Sequence, residues 1–269
     1  MRSLICFREF PYAKITVTFG GIVAREISSS TTLLHVSTKK EETGELNKSL
    51  NDAVMLLPEM DVETKVRSGD PLREIIEEVS EGEYDLVVVG SHEVVRLLDS
   101  LFGTLTNRVA NKVKTSVLIV RGEKIRLDKI LVPIGGQKLS KAVIEMGAKL
   151  AAAAGAEITL LYVTSPVPTM YTGMEGMEET LSELLKTDTP ISHHLHWSAQ
   201  YLEEQGVKAD LKLQQGVASD EIMREARLGD YDLIVIGART DVGPLKKILV
   251  DQVTPHVVER SPCPVLVVR

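Results

Sequence analysis

The stretch YDLVVVG at residues 84–90 decides the fold, because it occurs a second time as YDLIVIG at residues 231–237. The two stretches lie 147 residues apart, and Gly69 and Gly216 upstream of them have the same spacing. TLLHV at residues 32–36 recurs 127 residues later as TLLYV, and VLIVR at residues 117–121 recurs 148 residues later as VLVVR. The sequence therefore predicts one domain written twice, over residues 1–122 and 128–269. About 20 extra residues fall in the second copy, between Ser165 and Gln205.

Each copy alternates short apolar runs with helical patterns, which is typical of βαβ units and a parallel sheet with helices on both faces. In the second copy we predict five strands, over residues 129–134, 157–163, 207–214, 231–237 and 263–268. We predict its final helix over about residues 246–259, with Pro255 marking a kink or a late start.

Residues 14–19 of the first copy alternate polar and apolar side chains like a strand. The 127-residue spacing places them instead against a predicted helix at residues 141–146. The β-branched residues weaken helix propensity by only a few tenths of a kcal/mol each, which burial exceeds. We therefore predict a helix over residues 11–27.

Composition and charge exclude several classes of protein. Hydrophobic residues make up 43% and charged residues 26%, which predicts a folded chain, and the net charge of −7 disfavours general nucleic-acid binding. The two cysteines, Cys6 and Cys263, show no metal or disulfide spacing and fit a reducing cytosol. The first residues, MRSLICFREFPY, have too short an apolar core for a signal sequence, and no run reaches the ~18 apolar residues of a membrane span. We therefore expect a cytoplasmic protein without membrane partners.

A candidate ligand site follows the fourth strand of the first copy. Ligands of open parallel sheets bind beyond the carboxyl ends of the strands, where the strand order reverses. Gly90 ends this strand, Ser91 and His92 follow, and Gly103 and Thr104 open the next predicted helix. Glycines and a helix N-terminus suit a phosphate group, because both present backbone N–H groups. The same residues are also ordinary strand-end and capping residues, so both interpretations stay open.

These segments resemble the universal stress protein family. The resemblance lies in DLVVVGS at residues 85–91 with Gly103 and Thr104, in SPCPVLVV at residues 261–268, and in the TLLHV and TLLYV strands, so it covers both copies. It implies an α/β fold of two Rossmann-like (adenine nucleotide alpha hydrolase-like) domains, each a five-stranded parallel sheet. It also implies a pseudo-dimer, in which Val117–Val120 pairs with Val265–Val268 as the last strands do in the family's homodimers. Such pairing covers two apolar sheet edges.

The family's ATP-binding members share a motif of Gly-x-x-Gly, nine residues, then Gly-Ser/Thr. The first copy keeps Gly90, Gly103 and Thr104 but has Glu93 at the middle glycine. A carboxylate there would repel a triphosphate. Two unit charges ~4 Å apart cost about 1 kcal/mol in water, and several times more where they are partly shielded from solvent.

The second copy departs further from the motif. It has Thr240 at the middle glycine and Asp251 in the final pair. Where the ATP binders have Asp-Gly-Ser after the first strand, the two copies have Arg8-Glu9-Phe10 and Gly135-Gly136-Gln137. We expect ATP or AMP in domain 1 only, at Gly90, Ser91, His92, Gly103 and Thr104, and a degenerate site in domain 2.

Two other groups of residues have an ordinary and a functional interpretation. His193 and His196 share one face of a predicted helix while His194 points away, which favours a solvated helix over a metal site. Trp197 is expected to anchor that helix. Met170, Met174 and Met177 lie in the extra segment, which forms either an adaptable contact surface or a cover for its own sheet. We assign no catalytic residue and no metal ligand.

The sequence thus predicts a stress-response protein that acts by binding and signalling and is not an enzyme. In this hypothesis an adenine nucleotide orders residues 91–102 and alters a surface that an unknown protein partner recognises. The alternative is an interaction and assembly module that binds no nucleotide and acts through its edge strands, extra segment and acidic surface. Pairing of the whole chain as a homodimer is compatible with both.

Overall fold

The computed structural model describes residues 1–8, 10–11, 13–37, 43–90, 105–135, 137–165, 180–238 and 253–269. The first copy contains β1 (Arg2–Phe7), α1 (Ala13–Ile27), β2 (Ser30–Ser37), α2 (Thr43–Met55), β3 (Val62–Ser68), α3 (Pro71–Glu81), β4 (Leu86–Gly90), α4 (Leu105–Lys112) and β5 (Ser116–Val120). The second contains β6 (Lys129–Ile134), α5 (Gln137–Ala154), β7 (Glu157–Thr164), α6 (Leu181–Leu184), α7 (Pro190–Glu204), β8 (Ala209–Gln215), α8 (Ala218–Leu228), β9 (Leu233–Gly237), α9 (Val253–Arg260) and β10 (Val265–Val268).

The strands form one ten-stranded sheet in the order β3-β2-β1-β4-β5-β10-β9-β6-β7-β8. Each half is parallel and has the same internal order, and the halves meet where β5 and β10 pair antiparallel. Val117 lies opposite Val267 and Ile119 opposite Val265. The expected pairing of the two last strands is therefore confirmed, and it joins the two five-stranded sheets into one.

Helix α1 occupies the stretch that alternates like a strand, and the predicted helix is confirmed from Ala13 onward. Its buried side chains include Val17 and Val23. Glycines let it pack closely: a Cβ on Gly20 would lie 2.8 Å from Cγ1 of Val88, and one on Gly21 would lie 2.2 Å from Cδ2 of Leu57. Packing against the sheet thus outweighs the low helix propensity of its β-branched residues.

Helices cover both faces of the sheet, as the alternation of elements predicts. Along β1, Ile5 belongs to one buried cluster with α1 and α5, whereas Leu4 belongs to another with residues of α3 and α9. Strands buried on both faces are apolar at consecutive positions, which explains the unbroken runs such as LVVVG in β4. Among the described residues, no helix has both the length and the apolar character needed to cross a membrane.

Several predicted element starts are early by two residues. The strand predicted from residue 207 begins at Ala209, because the Val207 N–H donates to Leu202 O at 2.9 Å and closes the end of α7. The strand predicted from residue 263 begins at Val265, because the Cys263 N–H donates to Oγ of Ser261 in the preceding turn. The strand predicted from residue 231 begins at Leu233.

The last helix was predicted over residues 246–259, of which residues 246–252 lie outside the described residues. The described helix α9 runs from Val253, so Pro255 lies in its first turn. Proline is tolerated there because the first N–H groups of a helix have no partner within the helix.

Charged residues between the copies contact the second half. Lys124 Nζ donates to Oδ1 of Asp230 at 2.6 Å, and Arg126 Nε donates to Oδ1 of the buried Asp232 at 3.2 Å. Hydrogen bonding to Lys124 lowers the pKa of Asp230. These contacts hold the connection against the start of β9. The domain bounds at residues 1–122 and 128–269 remain a prediction.

Each copy also buries one glutamate between its edge strand and the following helix. Glu78 accepts hydrogen bonds from Lys65 Nζ at 2.9 Å, Arg67 Nε at 2.8 Å and the Tyr84 hydroxyl at 2.7 Å. The Glu78 side chain is 4% exposed.

The second copy repeats this network 147 residues later with one change. Glu225 accepts from Lys212 Nζ at 2.7 Å, from the Tyr231 hydroxyl at 2.8 Å and from Gln214 Nε2 at 2.8 Å. A neutral amide therefore replaces the guanidinium of Arg67.

Candidate functional site

The strand order reverses between β1 and β4 in the first copy and between β6 and β9 in the second. Ile5 of β1 lies opposite Val88 of β4, so Phe7 and Gly90 end their strands at the same edge of the sheet. In the second copy the corresponding strands end at Ile134 and Gly237. The position where open parallel sheets bind ligands is thus formed twice.

Gly90 is buried and lies directly against helix α1. A Cβ at this position would lie 2.3 Å from Oγ1 of Thr16, which is itself 3% exposed. Real Cβ atoms do not approach so closely, so a larger residue would push α1 away from the end of β4. Glycine at position 90 is therefore required by the packing of the helix, in addition to any role with a ligand.

The other predicted site residues of the first copy are Ser91, His92, Gly103 and Thr104. All four lie outside the described residues, as does Glu93. The structure places the two ends of this segment, because β4 ends at Gly90 and α4 begins at Leu105.

Aromatic side chains lie at the carboxyl end of β1. The Phe7 ring makes edge-on contacts with the His35 ring of β2, at a centroid distance of 5.2 Å, and with the Phe10 ring, at 6.2 Å. Phe10 is half-buried and packs on the core. Arg8, in the position where the family's ATP binders have Asp, is half-buried. This end of the first copy combines an aromatic cluster with a cation.

The end of β9 in the second copy differs in burial from the end of β4 in the first, where Gly90 is buried. Gly237 is half-buried, and its carbonyl accepts a hydrogen bond from Oγ1 of Thr254, in the first turn of α9, at 3.0 Å. The next residue, Ala238, donates its N–H to Val268 O at 2.8 Å. Thr240 and Asp251 lie outside the described residues.

Sequence reasoning missed Thr16, although the repeat carried the signal for it. The 127-residue spacing aligns Thr16 with Val143, and both are 3% exposed. A hydroxyl on a buried helix face where the other copy has an apolar side chain marks a difference between the two sites. Its contact with Gly90 required the structure, because the two residues are 74 positions apart.

The histidine segment lies on α7 and is divided as predicted. His193 and His196 are exposed, whereas His194 is buried and stacks on Trp197 at a centroid distance of 5.7 Å. Burial lowers the pKa of His194. Trp197 packs on the core, which fits its expected role as an anchor. Within the described ranges, no group of three or more His, Cys, Asp or Glu side chains is placed to hold a metal ion.

Comparison with known proteins bears on both copies. The model of the universal stress protein family matches residues 13–121 and again residues 126–269. The universal stress protein MJ0531 of Methanocaldococcus jannaschii is 32% identical over 151 residues, which are 56% of this chain and 87% of that protein. The universal stress protein YxiE of Bacillus subtilis is 29% identical over 150 residues, which are 53% of this chain and 99% of that protein.

Solved structures resemble the chain over its full length. A universal stress protein from Archaeoglobus fulgidus DSM 4304 covers 100% of this chain and 96% of its own, with a TM-score of 0.67 and 16% identity. A putative universal stress protein from Pseudomonas aeruginosa UCBPP-PA14 covers 99% of this chain and 92% of its own, with a TM-score of 0.69 and 18% identity. These identities support the fold alone. With two matches to the family model, the chain belongs to the universal stress protein family and carries its domain twice.

Proposed function

We propose that this chain binds an adenine nucleotide, ATP or AMP, at the strand-order reversal of its first copy, and that its second copy is structural. It acts in the stress response by binding and signalling rather than by turnover, in the cytosol. The observation that carries the proposal is the buried Gly90 at the end of β4, beside β1 and directly before the motif residues Ser91 and His92. Gly103 and Thr104 lead into α4 at the other end of the segment.

Differences between the copies support one site rather than two. The second copy lacks the final Gly-Thr pair and has Asp251 there, which would add a negative charge beside phosphate. The sequence assigns no catalytic residue to either copy, so we propose binding without hydrolysis.

A second candidate function is an interaction module that binds no nucleotide. The observation that favours it is Phe10, which packs on Phe7 in the loop where the family's ATP binders have Asp-Gly-Ser. Arg8 and Glu93 further weaken the likeness to those proteins. In this alternative an unknown protein partner, or a second copy of the chain, is the ligand.

Isothermal titration of the purified chain with ATP and with AMP tests the proposal. We expect heat of binding with a stoichiometry of one nucleotide per chain. Absence of heat at high micromolar nucleotide would refute the proposal and favour the interaction module. A stoichiometry of two would refute the structural role of the second copy.

The variant Glu93→Gly then tests the cost of the carboxylate. Removing a negative charge near phosphate is expected to tighten ATP binding about fivefold or more, and AMP binding less, because AMP carries fewer charges. The variant Gly103→Val is the matched loss-of-function variant. We expect it to weaken binding of ATP and AMP, because a valine side chain at this position would block the approach of phosphate to the backbone.

A further inference from the structure

An arginine at the end of the last strand of each copy contacts the other copy. Arg121 follows β5 and Arg269 follows β10, and they occupy the same position of the repeat, 148 residues apart. Each side chain reaches a helix of the opposite copy. The contacts are therefore made between the copies and not within them.

Arg121, from the first copy, closes the end of α9 in the second. Its Nη1 donates to Glu259 O at 2.9 Å and to Ser261 O at 3.2 Å, and its Nη2 donates to Val258 O. The last carbonyl groups of a helix have no partner within the helix, and they carry its negative dipole end. A guanidinium fork satisfies both needs at once.

Arg269, from the second copy, makes the corresponding contact with α4 in the first. Its Nη2 donates to Ala110 O, and its backbone N–H donates to Oγ of Ser116 at 3.2 Å. Ala110 and Val258 are also 148 residues apart, so the two arginines bond the same carbonyl of the repeat. Helices α4 and α9 also pack against each other across the junction.

We propose that Arg121 and Arg269 are reciprocal positioning residues, each of which holds the final helix of the opposite copy in place. Holding α4 in place also affects nucleotide binding in the first copy, and this part rests on the proposed function. Gly103 and Thr104 lead directly into α4, so the arginine that supports nucleotide binding in the first copy is Arg269 in the second.

The length of these helices makes their ends important. Both α4 and α9 contain 8 residues, so few of their backbone groups are bonded within the helix. Loss of a charged cap leaves carbonyl groups without a donor and opens the last turn. A loosened helix must then be ordered again when a ligand binds, which weakens binding.

Hydrogen exchange of the full-length chain tests this crossing. In Arg121→Met, amides at the end of α9 are expected to exchange about 5- to 30-fold faster while those of α4 change less than twofold. In Arg269→Met the pattern is reversed, with faster exchange in α4. Arg121→Lys and Arg269→Lys restore part of the protection, because the cation is kept. Arg73→Met, at an exposed arginine of α3, is the matched control and changes neither helix.

Two outcomes would overturn the proposal. One is faster exchange of both helices to the same extent in either variant, since that is general destabilisation. The other is unchanged exchange of the opposite helix. Strand amides of β1 and β6 report general destabilisation in the same experiment.

Nucleotide titration of the same variants adds a readout that overall stability does not move. If the unmodified chain binds AMP or ATP, Arg269→Met is expected to weaken binding about 3- to 30-fold, whereas Arg121→Met stays within twofold. Equal weakening by both variants contradicts the crossing. If the unmodified chain binds neither nucleotide, the proposed function fails, and hydrogen exchange alone decides on the arginine pair.

Discussion

The buried glutamates of the two copies share a fold position and differ in the charge around it. Glu78 contacts two cations, Lys65 and Arg67, whereas Glu225 contacts one cation, Lys212, and the neutral amide of Gln214. Burying a carboxylate is costly unless cations and hydrogen bonds replace its water. The comparison indicates that the two copies share the geometry of this network but differ in the number of cations around the carboxylate, so the second copy depends more heavily on one lysine.

The largest expected effect comes from removing that lysine. Lys212→Met leaves Glu225 buried without a cation among its described partners. We expect the free energy of unfolding to fall by about 2 kcal/mol, which is less than for a fully buried pair because the Lys212 side chain is 40% exposed. The equivalent change in the first copy, Lys65→Met, is expected to cost only about 1 kcal/mol, because Arg67 remains. Urea denaturation of both variants measures the difference. Equal losses would show that the two networks are equivalent.

Exchanging the two residues that differ between the networks, Arg67 and Gln214, gives two smaller effects on stability, one a loss and the other a gain. Arg67→Gln is expected to lower the free energy of unfolding by about 1.5 kcal/mol, because the guanidinium loses its hydrogen bonds to the buried Glu78 and the exposed Glu81. Gln214→Arg is expected to raise it by less than about 1 kcal/mol, because the new cation must also lose water. Chemical denaturation reports both. A gain from Arg67→Gln would contradict the comparison.

Acid should weaken both networks. Burial raises the pKa of each glutamate, but hydrogen bonds from Lys65, Tyr84 and Arg67 outweigh it for Glu78, and those from Lys212 and Tyr231 do so for Glu225, so both pKa values lie below 4.5. A lowered folded pKa means that the stabilisation is present above pH ~4.5 and is lost as the pH falls through the folded value. Glu78→Gln and Glu225→Gln should each flatten this acid slope in denaturation measured from pH 5 downward. An unchanged slope would show that other titrating groups cause the loss of stability in acid.

The smallest effect concerns His194 of α7 in the second copy. Burial holds its pKa below 6.5, so the unfolded chain binds a proton that the folded chain does not. Stability should therefore be full above pH 6.5 and decline as the pH falls from there to the folded pKa. His194→Phe keeps a ring against Trp197 and should remove this slope. A slope that persists in the variant would contradict the assignment.

The repeat made most of the fold predictable. Its spacing identified α1 as a helix against the local pattern, and the family resemblance placed Val117–Val120 against Val265–Val268. Paired positions such as Lys65 and Lys212, or Tyr84 and Tyr231, are visible in the sequence as well. Which of these side chains are buried depends on how β3 packs against α3, and the spacing of the repeat does not determine that packing.

The candidate site was less predictable, for two reasons. The Thr16 contact with Gly90 and the arginine contacts with Ala110 and Val258 join residues that are distant in the chain. They arise from close packing and from the junction between copies. In addition, Ser91, His92, Gly103 and Thr104 themselves lie outside the described ranges, so their arrangement remains a prediction.

The antiparallel junction of β5 with β10 has an evolutionary consequence. In an assembly of identical subunits, every substitution at a two-fold axis appears on both sides at once, so a change that suits one side is imposed on the other. Here the two sides of the axis are encoded separately and held together by the chain itself. Each side is free to acquire its own substitutions, and one half can specialise while its neighbour keeps the shared framework intact.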